Sequence, residues 1–370
     1  MAEKITFDRA YLMNLQYHND TWFLAYNDDP IKVFTSSDGY DWMPTLPIPV
    51  YEGPLSFGTD IVLIHNSNTI GVIWKRIPYK TLGSDEVPEF TFMKSVYEKG
   101  RWSEPQVLIH RENGCILNDG VLLEDGRLIL LWEEGKGLWN IVYRAVIIDG
   151  DVSIDQVMEP THPFYTMRGI SLMGDDEKIW CIFQYRGVRD HIYVSESIDG
   201  ISWSDPASLS LPVDIRDIID CSNGEVGALQ YDMEKITLNR SHDWDTWKEE
   251  LIMRLDDPVF FYGSGEDKGI LSAACAVNEH GQLLVAYGTK FGIFTAFCSE
   301  ELYQEQQSLI QYSQTLSMVQ WILIVSPVLV YLWMWKKGSG TVGSYVLYYG
   351  IYVCFLIVIS LLIGALIPPE

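Results

Sequence analysis

Four arginines stand out in a chain otherwise crowded with acid: Arg76, Arg168, Arg186 and Arg189. Around them in the same segments lie Asp60, Asp119, Glu133, Glu134 and Asp220. An arginine presents a planar fork that takes a carboxylate bidentately, so a group of arginines predicts capture of an anionic ligand. Carboxylates drawn from separate segments can supply a general acid and a general base. Tyr185 and Tyr231 add two phenols, each at the end of a β-rich run. Other chemistries are poorly supplied. The seven histidines show no H-x-H or H-E-x-x-H spacing, so no metal site is expected. No glycine-rich turn leads a strand into a helix, no Gly-x-Ser-x-Gly elbow occurs, and no cysteine has a catalytic context, so no cofactor is expected either.

The elements that must position these residues form a repeat. TWFLAY ends at Tyr26, TIGVIW at Trp74, RLILLW at Trp132, KIWCIFQY at Tyr185, EVGALQY at Tyr231 and QLLVAY at Tyr287. Before each comes a polar turn, such as Asn66-Ser67-Asn68, Asp125-Gly126, Asn223-Gly224 or His280-Gly281, suited to a two-residue hairpin. An apolar strand precedes the turn, and a third strand follows the aromatic-ended one. Helical periodicity is absent up to about Glu300. Repeated four-stranded units of about 50 residues predict an all-β propeller, here with six blades. The N-terminal Lys4–Phe7 segment would complete blade 6, whose own fourth strand is not evident.

A second motif follows the third strand of several units. Ser36-Ser37-Asp38-Gly39-Tyr40-Asp41-Trp42 and Ser197-Ile198-Asp199-Gly200-Ile201-Ser202-Trp203 both read S-x-D-G-x-x-W. Ser241-His242-Asp243-Trp244-Asp245-Thr246-Trp247 keeps Ser, Asp and Trp without the glycine, and Arg101-Trp102-Ser103 echoes Ser202-Trp203-Ser204. The aspartate can accept backbone N–H groups within the turn, glycine supplies a left-handed residue, and tryptophan packs beneath. These heptads resemble the Asp-box (BNR) repeats of the sialidase superfamily, over about residues 1–300. The resemblance implies a six-bladed sialidase-like β-propeller with the heptads on the face opposite the site. It does not specify activity, because such propellers include sialidases, other glycan-processing enzymes, sugar binders and sorting receptors.

If the heptads lie at the bottom, the top face receives the starts of the first strands and the ends of the second ones. The starts are expected at Asp60, Asn118-Asp119, Arg168, Asp220 and Ser272. The ends are expected at Asn27-Asp28, Lys75-Arg76, Glu133-Glu134, Tyr185-Arg186 with Arg189, Tyr231-Asp232, and Lys290. What the resemblance implies there is an arginine clamp with an aspartate acid and a tyrosine nucleophile activated by a glutamate. Arg168 stands where the family's first arginine opens an inner strand; Arg76, Arg186 and Arg189 would complete the clamp. Tyr231 or Tyr185 would be the nucleophile, Glu133 or Glu134 its partner, and Asp60 or Asp119 the acid. Arg76-Ile77-Pro78 matches the family's Arg-Ile-Pro motif, but at the end of a second strand. No arginine is expected to open the first strands of blades 5 or 6, so the triad does not carry over position by position. Two further readings stay open: a glycosidase acting on neutral sugars through a carboxylate pair, and a non-catalytic scaffold presenting its top face to a protein or glycan.

With 26 Lys and Arg against 50 Asp and Glu, the chain has a formal charge of −24, which repels phosphate backbones and excludes nucleic acid as a partner. Residues 318–335 and 345–367 carry no charge and approach the roughly 20 residues that span a bilayer. Trp333 and Trp335 beside Lys336-Lys337, and Tyr345, Tyr348 and Tyr349, supply an interfacial aromatic belt. The expected organisation is a propeller over 1–312 and a C-terminal membrane anchor over 313–370. Lys336 and Lys337 would put their linker in the cytoplasm and the head outside. Met1–Met13 has no apolar h-region, and five irregularly spaced head cysteines form no disulfide framework, which favours a cytoplasmic head.

Overall fold

In the computed structural model the chain divides into two units, Met1–Ser299 and Glu300–Glu370, and every described residue belongs to the first. The structure describes residues 3–6, 12–27, 31–49, 60–76, 89–112, 114–136, 139–157, 166–174, 177–186, 191–211, 215–221, 224–232, 235–254, 270–289 and 292–298. The apolar segments 318–335 and 345–367 lie outside them, and among the described residues no helix is long and apolar enough to cross a membrane.

Among the described residues twenty-five strands build six antiparallel sheets, beginning with β1 (Glu3–Thr6). Blade 1 comprises β2 (Met13–His18), β3 (Thr21–Tyr26), β4 (Lys32–Ser36) and β5 (Met43–Pro44). Blade 2 has β6 (Ile61–His65), β7 (Ile70–Arg76), β8 (Phe90–Glu98), the short β9 (Arg101–Trp102) and β10 (Gln106–Arg111). Blade 3 holds β11 (Cys115–Leu122), β12 (Leu128–Lys136), β13 (Trp139–Ile148) and β14 (Asp151–Gln156). In blade 4 follow β15 (Thr166–Gly174), β16 (Ile179–Arg186), β17 (His191–Ser197) and β18 (Ala207–Leu209). Blade 5 is β19 (Ile215–Asp220), β20 (Val226–Tyr231), β21 (Lys235–Ser241) and β22 (Lys248–Arg254). Blade 6 takes β23 (Ser272–Val277), β24 (Leu283–Thr289) and β25 (Gly292–Cys298), and its outer strand is β1. Glu3 pairs with Thr295 and Lys4 with Phe294, so the N-terminal segment closes the ring as its sequence suggests.

The first strand of each blade packs against the first strands of its two neighbours, in the cyclic order β2, β6, β11, β15, β19, β23. Six apolar clusters fill the seams between successive blades. The aromatic residues that end the second strands belong to these seams: Tyr26, Trp132 and Tyr287 are fully buried, and Trp74 and Tyr185 nearly so. They are packing residues, which removes Tyr185 from the accessible chemistry.

The heptads are turns held by their own side chains. Asp38 Oδ1 accepts the N–H groups of Tyr40 and Asp41, both at 2.9 Å, while Ser36 Oγ accepts that of Gly39 at 2.8 Å. Asp199 and Asp243 repeat the pattern, and the N–H groups they accept, led by Ser202 and Thr246, hold each carboxyl down to about 2. Gly39 and Gly200 have φ of +77° and +75°, and Trp244 adopts +65° in the glycine's place. The reason for the exception lies in the preceding blade. A Cβ on Gly200 would come within 2.6 Å of Ile129 Cδ1, whereas Trp244 sets its indole tilted against Trp180, with ring centroids 5.9 Å apart. Arg101-Trp102-Ser103 keeps part of the geometry: Ser103 Oγ accepts the Val96 N–H at 3.0 Å, as Ser204 Oγ accepts that of Glu196.

One asymmetry breaks the ring. The inner strands of blades 1, 2 and 6 pair with their second strands in unbroken register. Those of blades 3, 4 and 5 each carry a bulge, at Leu117/Asp119, Gly169/Ser171 and Ile215/Asp217. A bulge leaves one residue outside the ladder and re-aims its neighbours, which is how a strand edge delivers polar groups off the pleat.

Candidate functional site

Antiparallel order puts the starts of the first strands and the ends of the second strands on one face, with the hairpin turns and heptads on the other. The contact of Arg127 with the Asp199 carbonyl, at 2.6 Å, joins a first hairpin turn to a heptad and fixes them to that opposite face. The top face therefore begins at Asp60, Cys115, Thr166, Ile215 and Ser272.

Most carboxylates expected there have partners that occupy them. Asp60 is buried and pairs with Lys75 Nζ at 2.6 Å while accepting the Leu117 N–H of the next blade at 2.9 Å. Burial raises its pKa and Lys75 opposes the rise. Glu134 takes Arg111 bidentately, at 2.7 and 3.1 Å, and accepts the Trp132 indole at 2.9 Å. Glu133 points to the other side of the same strand, where the amides of Asn118 and Asn140 each reach it at 2.9 Å. Over Gly169 there is no room for a Cβ, which would fall 2.6 Å from Asn118 Oδ1, so that glycine is what lets blade 4 lie against Asn118. These contacts are inter-strand and inter-blade ties.

Asp119 lies on the blade 3 bulge, accepting the Leu172 N–H and the Ser171 hydroxyl, both at 2.7 Å, and the Gly120 N–H at 2.8 Å. Burial pushes its pKa up to about 6 against those donors. Asp217, on the blade 5 bulge, is raised well above the usual carboxylate range by burial and then by the charge of Asp119.

Beside Asp217 lies Arg216, the residue that the bulge leaves outside the β19 ladder, exposed, with its guanidinium 5.4 Å from the Tyr231 ring centroid. Arg168, half-buried on β15, acts on the same phenol from blade 4. Burial raises the Tyr231 pKa, and the two arginines and then the Ala273 N–H oppose that rise. Two arginines from adjacent inner strands thus flank one tyrosine on the top face.

The expectation that no arginine opens blade 5 is corrected. The run Ile215–Asp220 is the inner strand itself, so Arg216 stands near its start and Asp220 closes it at the opposite face. Counting back from the Asn223-Gly224 turn finds that strand, but its Arg and two Asp residues hide the apolar alternation, and the bulge shifts it further. Arg168 and Tyr231 are brought together. Arg76 closes β7 in blade 2, separated from Arg168 by all of blade 3. Arg186 closes β16, while Arg189, Lys290, Asp28 and the Ile77-Pro78 pair lie outside the described residues. Among the described residues no group of three or more His, Cys, Asp or Glu side chains could hold a metal ion.

The described chain is a six-bladed β-propeller with a two-arginine patch beside its axis. Solved structures share this fold. A Hadza microbial sialidase superposes with a TM-score of 0.55 at 13% identity, over 78% of this chain and 65% of its own. An alpha-L-arabinanase of Penicillium chrysogenum complexed with arabinobiose also gives 0.55 at 13% identity, over 80% of this chain and 94% of its own. The Aleuria aurantia lectin in complex with alpha-methyl-L-fucoside gives 0.52 at 12% identity, over 80% and 93%. The chain therefore spans less than two thirds of the sialidase it resembles. No protein-family model matches the sequence, and no curated protein does.

Proposed function

We propose that this chain is a membrane-anchored, sialidase-like propeller that recognises a carbohydrate carrying an acidic group, bound on the top face at blades 4 and 5. The observation that carries the reading is the pair Arg168 and Arg216 flanking Tyr231. In a protein of net charge −24 they provide a local reversal of field beside an aromatic ring, and a sugar carboxylate and ring face are complementary to both. The neighbours named above bind or act on sialyl, arabinosyl and fucosyl groups, which supports a sugar without choosing one. The committed contacts of Asp60, Glu133 and Glu134 favour recognition over hydrolysis. Hydrolysis of sialidase type is the second reading, favoured by the placement of the Tyr231 phenol near two guanidinium groups.

The test is a panel of acidic and neutral glycans and fluorogenic glycosides, sialosides included, presented to the full chain and to Arg168→Ala and Arg216→Ala. Acidic glycans held by the wild type and weakened about tenfold or more by either variant, with unchanged melting temperature, support the reading. Ligands indifferent to both arginines sink it, and turnover that disappears with Tyr231→Phe moves the protein to the hydrolase class. For the anchor, removal of residues 313–370 is expected to release the protein from membranes into the supernatant of an alkaline wash. A truncated chain that stays in the pellet contradicts the C-terminal hairpin.

A further inference from the structure

The heptads of blades 1, 4 and 5 each close the end of a seam, and they do it differently. The fourth residue of a heptad rests on a cross-strand pair that the preceding blade contributes from its second and third strands. In blade 1 that residue is Gly39, where a Cβ would meet Phe297 at 2.5 Å and Leu284 at 3.4 Å. Gly200 in blade 4 lies as closely on Ile129 and Val146, at 2.6 and 3.3 Å. Leu284 pairs with Phe297 and Ile129 with Val146, so both seams end in an apolar pair covered by bare backbone. Tyr40, the next heptad residue, adds its ring against Phe297, with centroids 5.2 Å apart.

Blade 5 departs from this pattern in each part. By register the corresponding pair in blade 4 is Trp180 and Glu196. The fourth heptad residue is Trp244 in place of glycine, and after it comes the exposed Asp245 in place of Tyr40 or Ile201. The Trp244 ring lies 5.9 Å from Trp180 and 6.1 Å from Trp247, centroid to centroid, the second contact edge-on. All three indoles are half-buried, so part of each meets solvent. Glu196 holds the edge of this group. Its carboxylate accepts the Trp180 indole N–H at 3.1 Å and pairs with Lys178 at 2.7 Å, and the lysine ammonium stands 5.3 Å from the Trp180 ring.

Packing alone does not require this. A bulky residue at φ +65° sits in a region that L side chains avoid, and the glycine of the other two heptads would remove that cost. Strain kept where the same molecule shows a relaxed alternative points to what the side chain presents. Here it presents aromatic surface with carboxylates and one ammonium at its rim. Aromatic faces suit the apolar C–H side of a pyranose, and carboxylates accept its hydroxyl hydrogens. The rim also selects. Glu196 and Asp245 repel an anionic sugar, and a cationic ligand would find Lys178 already at the Trp180 ring.

We propose that the heptad end of the seam between blades 4 and 5 is a second glycan site, taking a neutral pyranose on Trp180 and Trp244 with Glu196 and Asp245 as hydroxyl acceptors. It lies on the face opposite Arg168, Arg216 and Tyr231 and does not depend on the function proposed for them.

The test uses the full chain in a detergent without a sugar headgroup. Methyl pyranosides of glucose, galactose, mannose and fucose are followed by saturation-transfer NMR and by titration of tryptophan fluorescence. At least one is expected to bind, to be weakened about tenfold or more by Trp244→Gly, and to be unaffected by Arg168→Ala or Arg216→Ala. Trp244→Gly should fold, because it restores the residue found at positions 39 and 200. Glu196→Ala, a change in an exposed ion pair with little weight in stability, is a second variant expected to weaken binding while the melting temperature holds. Affinity unchanged in both variants overturns the proposal, as does the absence of binding by any pyranoside, or binding of tetramethylammonium in their place. A pyranoside lost with the arginine variants belongs to the top face and overturns this site alone. Binding here with no acidic glycan held at the top would reject the function proposed above and leave this inference standing.

Discussion

Blades 6, 1 and 2 and blades 3, 4 and 5 are built from one repeat and put it to different use. In the first group the inner strands run in regular register, and a blade reaches its neighbour through single ties such as Asn14 Oδ1 accepting the Leu63 N–H at 3.3 Å. In the second group each inner strand is bulged, and polar side chains crowd the axis: Asn118, Asp119, Arg168, Ser171, Arg216 and Asp217. Regular pleating alternates side chains between the two seams and leaves few directions for a polar group. An added residue provides another direction. The difference teaches that in this propeller the departures from the repeat, and not the repeat, mark where ligand chemistry can gather.

Three experiments sharpen or break that contrast. The largest effect is expected at the boundary between the groups, where Lys75→Met strands the buried Asp60 carboxylate and should cost about 3–5 kcal/mol in urea unfolding. Replacing both partners, Asp60→Leu with Lys75→Met, should recover most of that loss; a double variant as unstable as the single one would mean that the pair is more than mutual compensation. In the bulged group, Gly200→Ala meets both a positive φ and the Ile129 side chain, and a loss of roughly 1–3 kcal/mol is expected from the same measurement. An unchanged midpoint would show that blade 3 yields easily to blade 4. In the regular group the expected change is small and of opposite sign. The Tyr287 hydroxyl is buried without a hydrogen-bond partner, so Tyr287→Phe should stabilise by about 1 kcal/mol. Destabilisation there would reveal a partner for this hydroxyl beyond the described residues.

The fold could be read from the chain because its markers are local. Aromatic-ended strands, Asp-Gly and Asn-Gly turns and the heptads each depend on residues within a few positions, so blade number, heptad geometry and the closing role of Lys4 are visible in one dimension. The site was only partly readable. Arg168 and Tyr231 can be placed at strand ends from the repeat alone, but Glu133 and Glu134 look equally reactive in sequence. Their neutralisation by Asn118, Asn140 and Arg111 is a matter of strands that pair and blades that meet. Arg216 and Asp217 were missed because a bulge erases the two-residue alternation from which a strand start is inferred. Irregularity thus concealed the residues that it serves to present.

The pairing of Glu3 with Thr295 has a consequence in time. A ribosome that adds about 5–20 residues each second needs on the order of 15–60 s between making the first strand and making its partner. For that interval β1 has no sheet to join and blade 6 has no outer strand, while five earlier blades can already stack in order. Closing the ring is therefore the last event of synthesis for this domain, and a nascent chain halted before Gly292 would leave β1 and the outer edge of β24 unpaired, open to whatever strand arrives first.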